Sequence, residues 1–215
     1  MSKFASRVRA AVIAALAGCV LAAGAGISAR SSGKGLGAVE SVRVRPDRIE
    51  IACVNGAVQV SKAGDGSLHV KATDRPEFEE FPSFAVMPEV REEAVTVKEE
   101  EDRLVLSAGL LTLTVERKDS RMTVLDGEGN VMVAEPEGGG AFFDGDTVGS
   151  VKLMPADEHY YGFGEKMGPL DKRGRKMIMW NTDNGWSRKN DSLYQSHPYY
   201  LALRNGRAYG LFFDN

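Results

Sequence analysis

Tyrosine and tryptophan are absent before Tyr160, and cysteine occurs only at Cys19 and Cys53. Two cysteines cannot build a disulfide framework, and if Cys19 is processed, Cys53 has no partner within the chain. Cys53 falls on an inward position of an alternating run, which predicts a small buried thiol. The three histidines, His69, His159 and His197, are scattered, with no cysteine or carboxylate at ligand spacing, so no metal site is assigned. Basic excess is also lacking: the net charge is −3 and the pI about 5.7, which argues against a polyanion-binding domain. The basic run Lys172-Arg173-Gly174-Arg175-Lys176 is offset by Glu165 and Asp171 and reads as a solvated turn and strand end. Gly162, Gly164 and Gly168 follow G-x-G-x-x-x-G, one residue too long for a dinucleotide fingerprint, and no amphipathic helix follows. No window of helical length keeps an apolar period of 3.6, and no internal repeat is present.

What the chain does have is a series of short alternating runs. Ile49, Ile51 and Cys53 share a face, and Asn55-Gly56 supplies a hairpin turn into Val58 and Val60. Further runs follow at Leu68–Val70, Val95–Val97, Leu104–Leu106, Leu111–Val115, Met122–Val124 and Val131–Val133, separated by charged or glycine turns. Residues 75–93, with Pro76, Pro82 and Pro88 beside Phe78, Phe81 and Phe84, read as a loop with apolar anchors. Many short strands at near-regular spacing predict an all-β fold, an antiparallel sandwich. It is expected over residues 42–215, after an export segment at 1–29 and a flexible tether at 30–41 that contains SSGKGLG.

From Tyr160 onward the character changes, because all the tyrosines and both tryptophans lie there among seven glycines. Flat rings with one polar tip suit half-wet binding surfaces. Four motifs in register, Tyr161-Gly162-Phe163-Gly164-Glu165-Lys166, Gly168-Pro169-Leu170-Asp171-Lys172-Arg173-Gly174, Trp180-Asn181-Thr182-Asp183 and the strand pair Ser196–Tyr200 with Gly206–Asn215, carry a family resemblance. The stretch resembles the N-terminal domain of glycoside hydrolase family 31, the α-glucosidase and α-xylosidase family. The resemblance is strong over 158–215 and diffuse over about 45–157. It implies a galactose-mutarotase-like sandwich that continues for some strands past Asn215 and then joins a (β/α)8 barrel. That barrel would carry the nucleophile and the acid/base, so no catalytic residue is assigned in this chain. It further implies an exported retaining α-glycosidase working without a metal or organic cofactor, with α-glucosidase as the leading activity. A free-standing carbohydrate-binding or structural sandwich is the alternative.

Asp183 is the leading site candidate, in the polar segment WNTDNGW between Trp180 and Trp186. A carboxylate accepts hydrogen bonds in up to about four directions, which suits paired sugar hydroxyls. The residues alone favour an Asx-turn on the local backbone. The resemblance implies that Asp183 binds the sugar beyond the scissile bond, with Asn181 a weaker candidate and Trp180 or Trp186 walling the sugar face. Tyr161, Phe163, Tyr199, Tyr209 and Phe212, in strand-like alternation, are expected in the core. The implied partners are an oligosaccharide substrate and the downstream barrel of a longer chain, not nucleic acid.

The first residues carry Lys3, Arg7 and Arg9 before the apolar run Ala10–Ala17, an export pattern. Leu16-Ala17-Gly18-Cys19 is similar to the bacterial lipoprotein signal, with Cys19 lipidated. That would place the protein at the cell envelope through a lipid anchor. Ordinary secretion, with cleavage after Ala23-Gly24-Ala25, ranks second. An uncleaved anchor over Ala10–Ala29 ranks last, because alanine and glycine gain little on transfer to lipid. Mass spectrometry of the mature protein is expected to find an acylated Cys19 at its N-terminus, with membrane association lost in Cys19→Ala. An unmodified start at Gly26 contradicts lipidation.

Overall fold

The structure, a computed structural model, describes the backbone at 13–14 and residues 33–78, 83–87, 93, 95–183 and 192–214 in full. Strands in chain order are β1 (Ile13–Ala14), β2 (Lys34–Gly35), β3 (Val39–Val44), β4 (Ile49–Cys53), β5 (Gly56–Ser61), β6 (Leu68–Thr73), β7 (Thr96–Glu99) and β8 (Arg103–Ala108). There follow β9 (Leu111–Glu116), β10 (Met122–Leu125), β11 (Val131–Ala134), β12 (Ala141–Asp144), β13 (Thr147–Ser150), β14 (His159–Gly164), β15 (Ser196–Arg204) and β16 (Arg207–Phe212). Among the described residues no helix is long and apolar enough to cross a membrane.

The strands form an eight-stranded sheet in the order β14-β15-β16-β1-β6-β5-β4-β3, a five-stranded sheet β11-β10-β9-β8-β7, and a small sheet β13-β12-β2. Pairing is antiparallel except at β1, whose two residues run parallel to Phe212 on one side and to Leu68 and His69 on the other. Period-two alternation explains why the two large sheets pack as a sandwich. Ile49, Ile51, Val58, Val60 and Leu68 point in from one sheet, and Leu104, Leu106, Leu113, Val115 and Val124 from the other. Together they form one buried cluster.

The small sheet is tied to the five-stranded sheet by a buried ion pair. Lys152 Nζ donates to Glu135 Oε1 at 2.5 Å and to Ser150 Oγ at 2.8 Å. Glu135 Oε2 accepts from the backbone N–H groups of Met122, at 2.9 Å, and Gly140, at 3.1 Å. Buried charges persist where geometry and added hydrogen bonds offset their desolvation, and Gly140 leaves that room. A Cβ there would meet the Glu135 carboxyl at 2.4 Å.

The sandwich expected from the alternation is present, with several local corrections. The turn between β4 and β5 is Val54-Asn55, one residue earlier than expected, and Gly56 opens β5 at φ 148°. Any side chain at Gly56 would strike the Thr73 carbonyl oxygen at 2.0 Å. The tether expected over 30–41 ends sooner. Lys34–Gly35 and Val39–Val44 are strands and Leu36 is 3% exposed, because its leucine has a core within reach. Phe84 does not anchor its loop, since its ring is wholly exposed; Phe81 lies outside the described residues, as do Cys19 and most of the expected export segment. Cys53 is buried as expected, and burial pushes its thiol up to about 11.

Candidate functional site

The site candidates lie between β14 and β15, at one end of the eight-stranded sheet. The ladder of these two strands is broken by a shift between Gly162 and Gly164. Phe163 occupies the bulge at φ 68°, a left-handed backbone uncommon for a bulky residue. The bulge resets the alternation, so Tyr160 and Phe163 both face inward, where Phe163 stacks on Tyr200 at 5.2 Å and Tyr160 meets the same ring edge-on at 5.5 Å. The aromatic core therefore differs from the set expected by simple alternation. Phe163 and Tyr209 are buried, whereas Tyr161, Tyr199 and Phe212 are half-buried and Tyr160, Tyr200 and Phe213 take the inner places.

The bulge delivers Glu165 and Lys166 to the end of the sheet. The Glu165 N–H bonds to the Gln195 carbonyl at 2.9 Å, and Lys166 Nζ donates to the Ile178 carbonyl at 2.6 Å and to Ser196 Oγ at 3.0 Å. Ser196 Oγ donates in turn to the Trp180 carbonyl at 3.0 Å. Two residues on, the Thr182 N–H reaches the Leu193 carbonyl at 2.9 Å and its hydroxyl the Ser192 carbonyl at 2.8 Å. The segment from Ile178 to Thr182 is thus pinned through its main chain and the Thr182 hydroxyl, while the side chains of Ile178, Met179, Trp180 and Asn181 stay exposed. Trp180 is 66% exposed, and Asn181 and Asp183 are exposed beside it.

Tyr194 joins this group. Its hydroxyl donates to the Asp183 carboxylate, whose negative charge pushes the phenol above its ordinary range. Tyr194 is absent from the candidates that the motifs single out, and its one sequence signal is an isolated tyrosine in the polar run Asp191-Ser192-Leu193-Tyr194-Gln195-Ser196. Trp180, Asn181 and Asp183 are exposed along one segment, and Tyr194 interacts with Asp183; Trp186 lies outside the described residues. Such side chains can hold a polyhydroxyl ring by hydrogen bonds and ring contact.

The basic run also needs correction, for Lys172 is 6% exposed rather than solvated. Its ammonium donates to the carbonyls of Lys166, at 3.1 Å, and Met167, at 3.2 Å. Arg173 Nη1 donates to the carbonyls of Pro155 and Glu158, each at 2.6 Å. Asp171 covers the outer edge of β14. Its Oδ1 accepts from the N–H groups of Tyr160 and Arg173, and His159 Nδ1 lies 2.7 Å from Oδ2.

Residues 57–215 match the family described as the glycosyl hydrolase 31 N-terminal galactose mutarotase-like domain, and the chain belongs to that family. It is 37% identical over 165 residues to alpha-glucosidase 2 of Bacillus thermoamyloliquefaciens, covering 76% of this chain and 21% of that protein. An alpha-xylosidase of Emericella nidulans is 35% identical over 78 residues, which is 35% of this chain and 9% of the relative. In fold the chain is similar to a Flavobacterium johnsoniae GH31 dextranase, with a TM-score of 0.72 and 24% identity over 79% of this chain and 21% of that one. The chain thus spans about a fifth of the first of these relatives' length.

The Asp171 contacts generate a pH prediction. The His159 hydrogen bond, with those from the Arg173 and Tyr160 amides, holds the Asp171 carboxyl down to about 2, from an ordinary 3.8. A depressed folded-state value contributes stability that is whole above the ordinary value and is lost as pH falls toward about 2. Thermal melts should therefore show Asp171→Asn losing less stability than the parent protein between about pH 4 and pH 2. Parallel curves across that window contradict the assignment.

Proposed function

We propose that this chain is the substrate-contacting N-terminal part of an exported retaining α-glycosidase, with α-glucosidase the leading activity. In this reading a downstream (β/α)8 barrel carries two catalytic aspartates, about 5–5.5 Å apart as in retaining enzymes, and hydrolysis passes through a covalent glycosyl-enzyme intermediate. The Ile178–Asp183 segment reaches over the barrel mouth. Asp183 binds hydroxyls of the sugar beyond the scissile bond, with Asn181 beside it and the Trp180 ring against the sugar face. Export proceeds through the leader, with Cys19 as the lipid anchor. The identity to an α-glucosidase across most of the chain supports the α-glycosidase reading.

The observation that carries the reading is the way Asp183 is held. Its main chain follows a segment fixed by Lys166, Ser196 and Thr182, its carboxylate interacts with the Tyr194 hydroxyl, and the group is still exposed. A carboxylate needed only for a turn has no use for a fixed, outward-facing position, whereas binding benefits from one.

The test is Asp183→Ala in the longer enzyme. Losing charge-assisted hydrogen bonds worth about 1.5–3 kcal/mol should lower kcat/KM for a disaccharide about tenfold to a hundredfold. An aryl α-glucoside has no sugar on the leaving side and should lose much less. Equal losses on both substrates, accompanied by a lower Tm, return Asp183 to a purely structural role.

A further inference from the structure

The opposite end of the same hairpins holds a second concave surface. Arg204 ends β15 eight residues beyond Ser196, which at ~3.3 Å per residue puts it roughly 26 Å from the Trp180–Asp183 end. Here the β15–β16 turn, Asn205-Gly206, faces the β10–β11 turn, Asp126–Asn130, across a cleft of about 430 Å³. That volume lies within the ~300–1,000 Å³ typical of small-molecule sites.

The polar groups of the cleft are held rigidly and alternate in sign. Arg207 Nη2 donates to Glu128 Oε2 at 2.7 Å, and its Nε lies 3.6 Å from Asp126 Oδ2, so one guanidinium spans the two turns. Arg204 Nη2 is fixed on the Val131 carbonyl at 2.8 Å. Asp126 Oδ1 accepts from the N–H groups of Glu128 and Asn130 and from the Asn130 side-chain amide. Glu158 also lines the cleft and is 1% exposed, its carboxylate accepting from the hydroxyls of Tyr160 and Tyr209. Alongside these groups the apolar side chains of Leu110 and Val131 are each 43% exposed.

Three carboxyl groups face two guanidinium groups, a near balance that favours neither a phosphate nor a metal cation. Fixed acceptors and donors flanked by apolar carbon instead match a ring that bears hydroxyls on its rim and C–H groups on its faces. The geometry points to this cleft as a second saccharide site, taking a neutral pyranose unit of an oligosaccharide. It is separate from the proposed Asp183 subsite and would hold a distant part of a long substrate. The cleft would act independently of Asp183.

The experiment is an NMR titration of the full chain with maltotriose, isomaltotriose and inorganic phosphate in separate arms, following the backbone amides. A saturable shift of Asn130, Asn205, Gly206 and Ala208 with at least one saccharide is expected, weakened tenfold or more in Arg207→Gln and unchanged in Asp183→Ala. Glu128→Gln, on an exposed turn, gives the same comparison if Arg207→Gln alters the fold. Three results overturn the proposal: silent amides at both turns, shifts induced by phosphate alone, or undiminished binding in both cleft variants. Saccharide shifts confined to Trp180–Asp183 and abolished by Asp183→Ala also overturn it, while leaving the Asp183 reading intact.

Discussion

A segment without its own secondary structure must find partners for its peptide groups, since a buried carbonyl left unpaired costs about as much as a lost hydrogen bond. Between β14 and β15 the described residues form no strand, and long cationic side chains supply much of what is missing. Lys166 serves the Ile178 carbonyl and Lys172 those of Lys166 and Met167, while Arg173 reaches back to those of Pro155 and Glu158 just before β14. These basic residues act as donors to main chain rather than as a charged patch. Lys172 is buried with its ammonium donating to two of these carbonyls, and Trp180, Asn181 and Asp183 face outward.

The sandwich determines where that segment begins. The left-handed backbone at Phe163 admits one extra residue, brings its ring under Tyr200 and directs Glu165 and Lys166 past the end of the sheet. Strain of this kind persists where surrounding packing over-determines it, as the stacked ring does here. The other end of the hairpins is built differently. Arg207 crosses between two turns, and buried Glu158 is raised above the ordinary carboxylate range by desolvation. One rigid sheet therefore presents two polar surfaces at its two ends.

The fold was legible because period-two alternation and turn residues are local properties. Ile49, Ile51 and Cys53 declared a face before any partner was known, and that face is buried. The place of Asp183 was legible only through the motif around it, since an aspartate flanked by turn formers has the same local pattern in a site and in an Asx-turn. Tyr194, Ser196 and Lys166 were not legible as its supports, because the contacts that join them to the segment are set by a bulge and a return strand. The inner aromatics were misplaced for the same reason. An alternation counted straight through Gly162-Phe163-Gly164 carries Tyr161 inward, and one bulge residue reverses the count. Burial of Lys172 likewise depends on carbonyls of an irregular segment, which residue type cannot reveal.

The central claim is that Lys166 and Ser196 fix the main chain from Ile178 to Thr182, and so the position of Asp183. Hydrogen exchange at the Thr182 amide measures this directly, because that N–H is bonded to the Leu193 carbonyl only while the segment is in place. The account predicts exchange at least about tenfold slower than for an open chain, moving toward the open-chain rate in Lys166→Met while the Leu113 amide in the core stays protected. Open-chain exchange at Thr182 in the unsubstituted protein, or an unchanged rate in Lys166→Met, would contradict it.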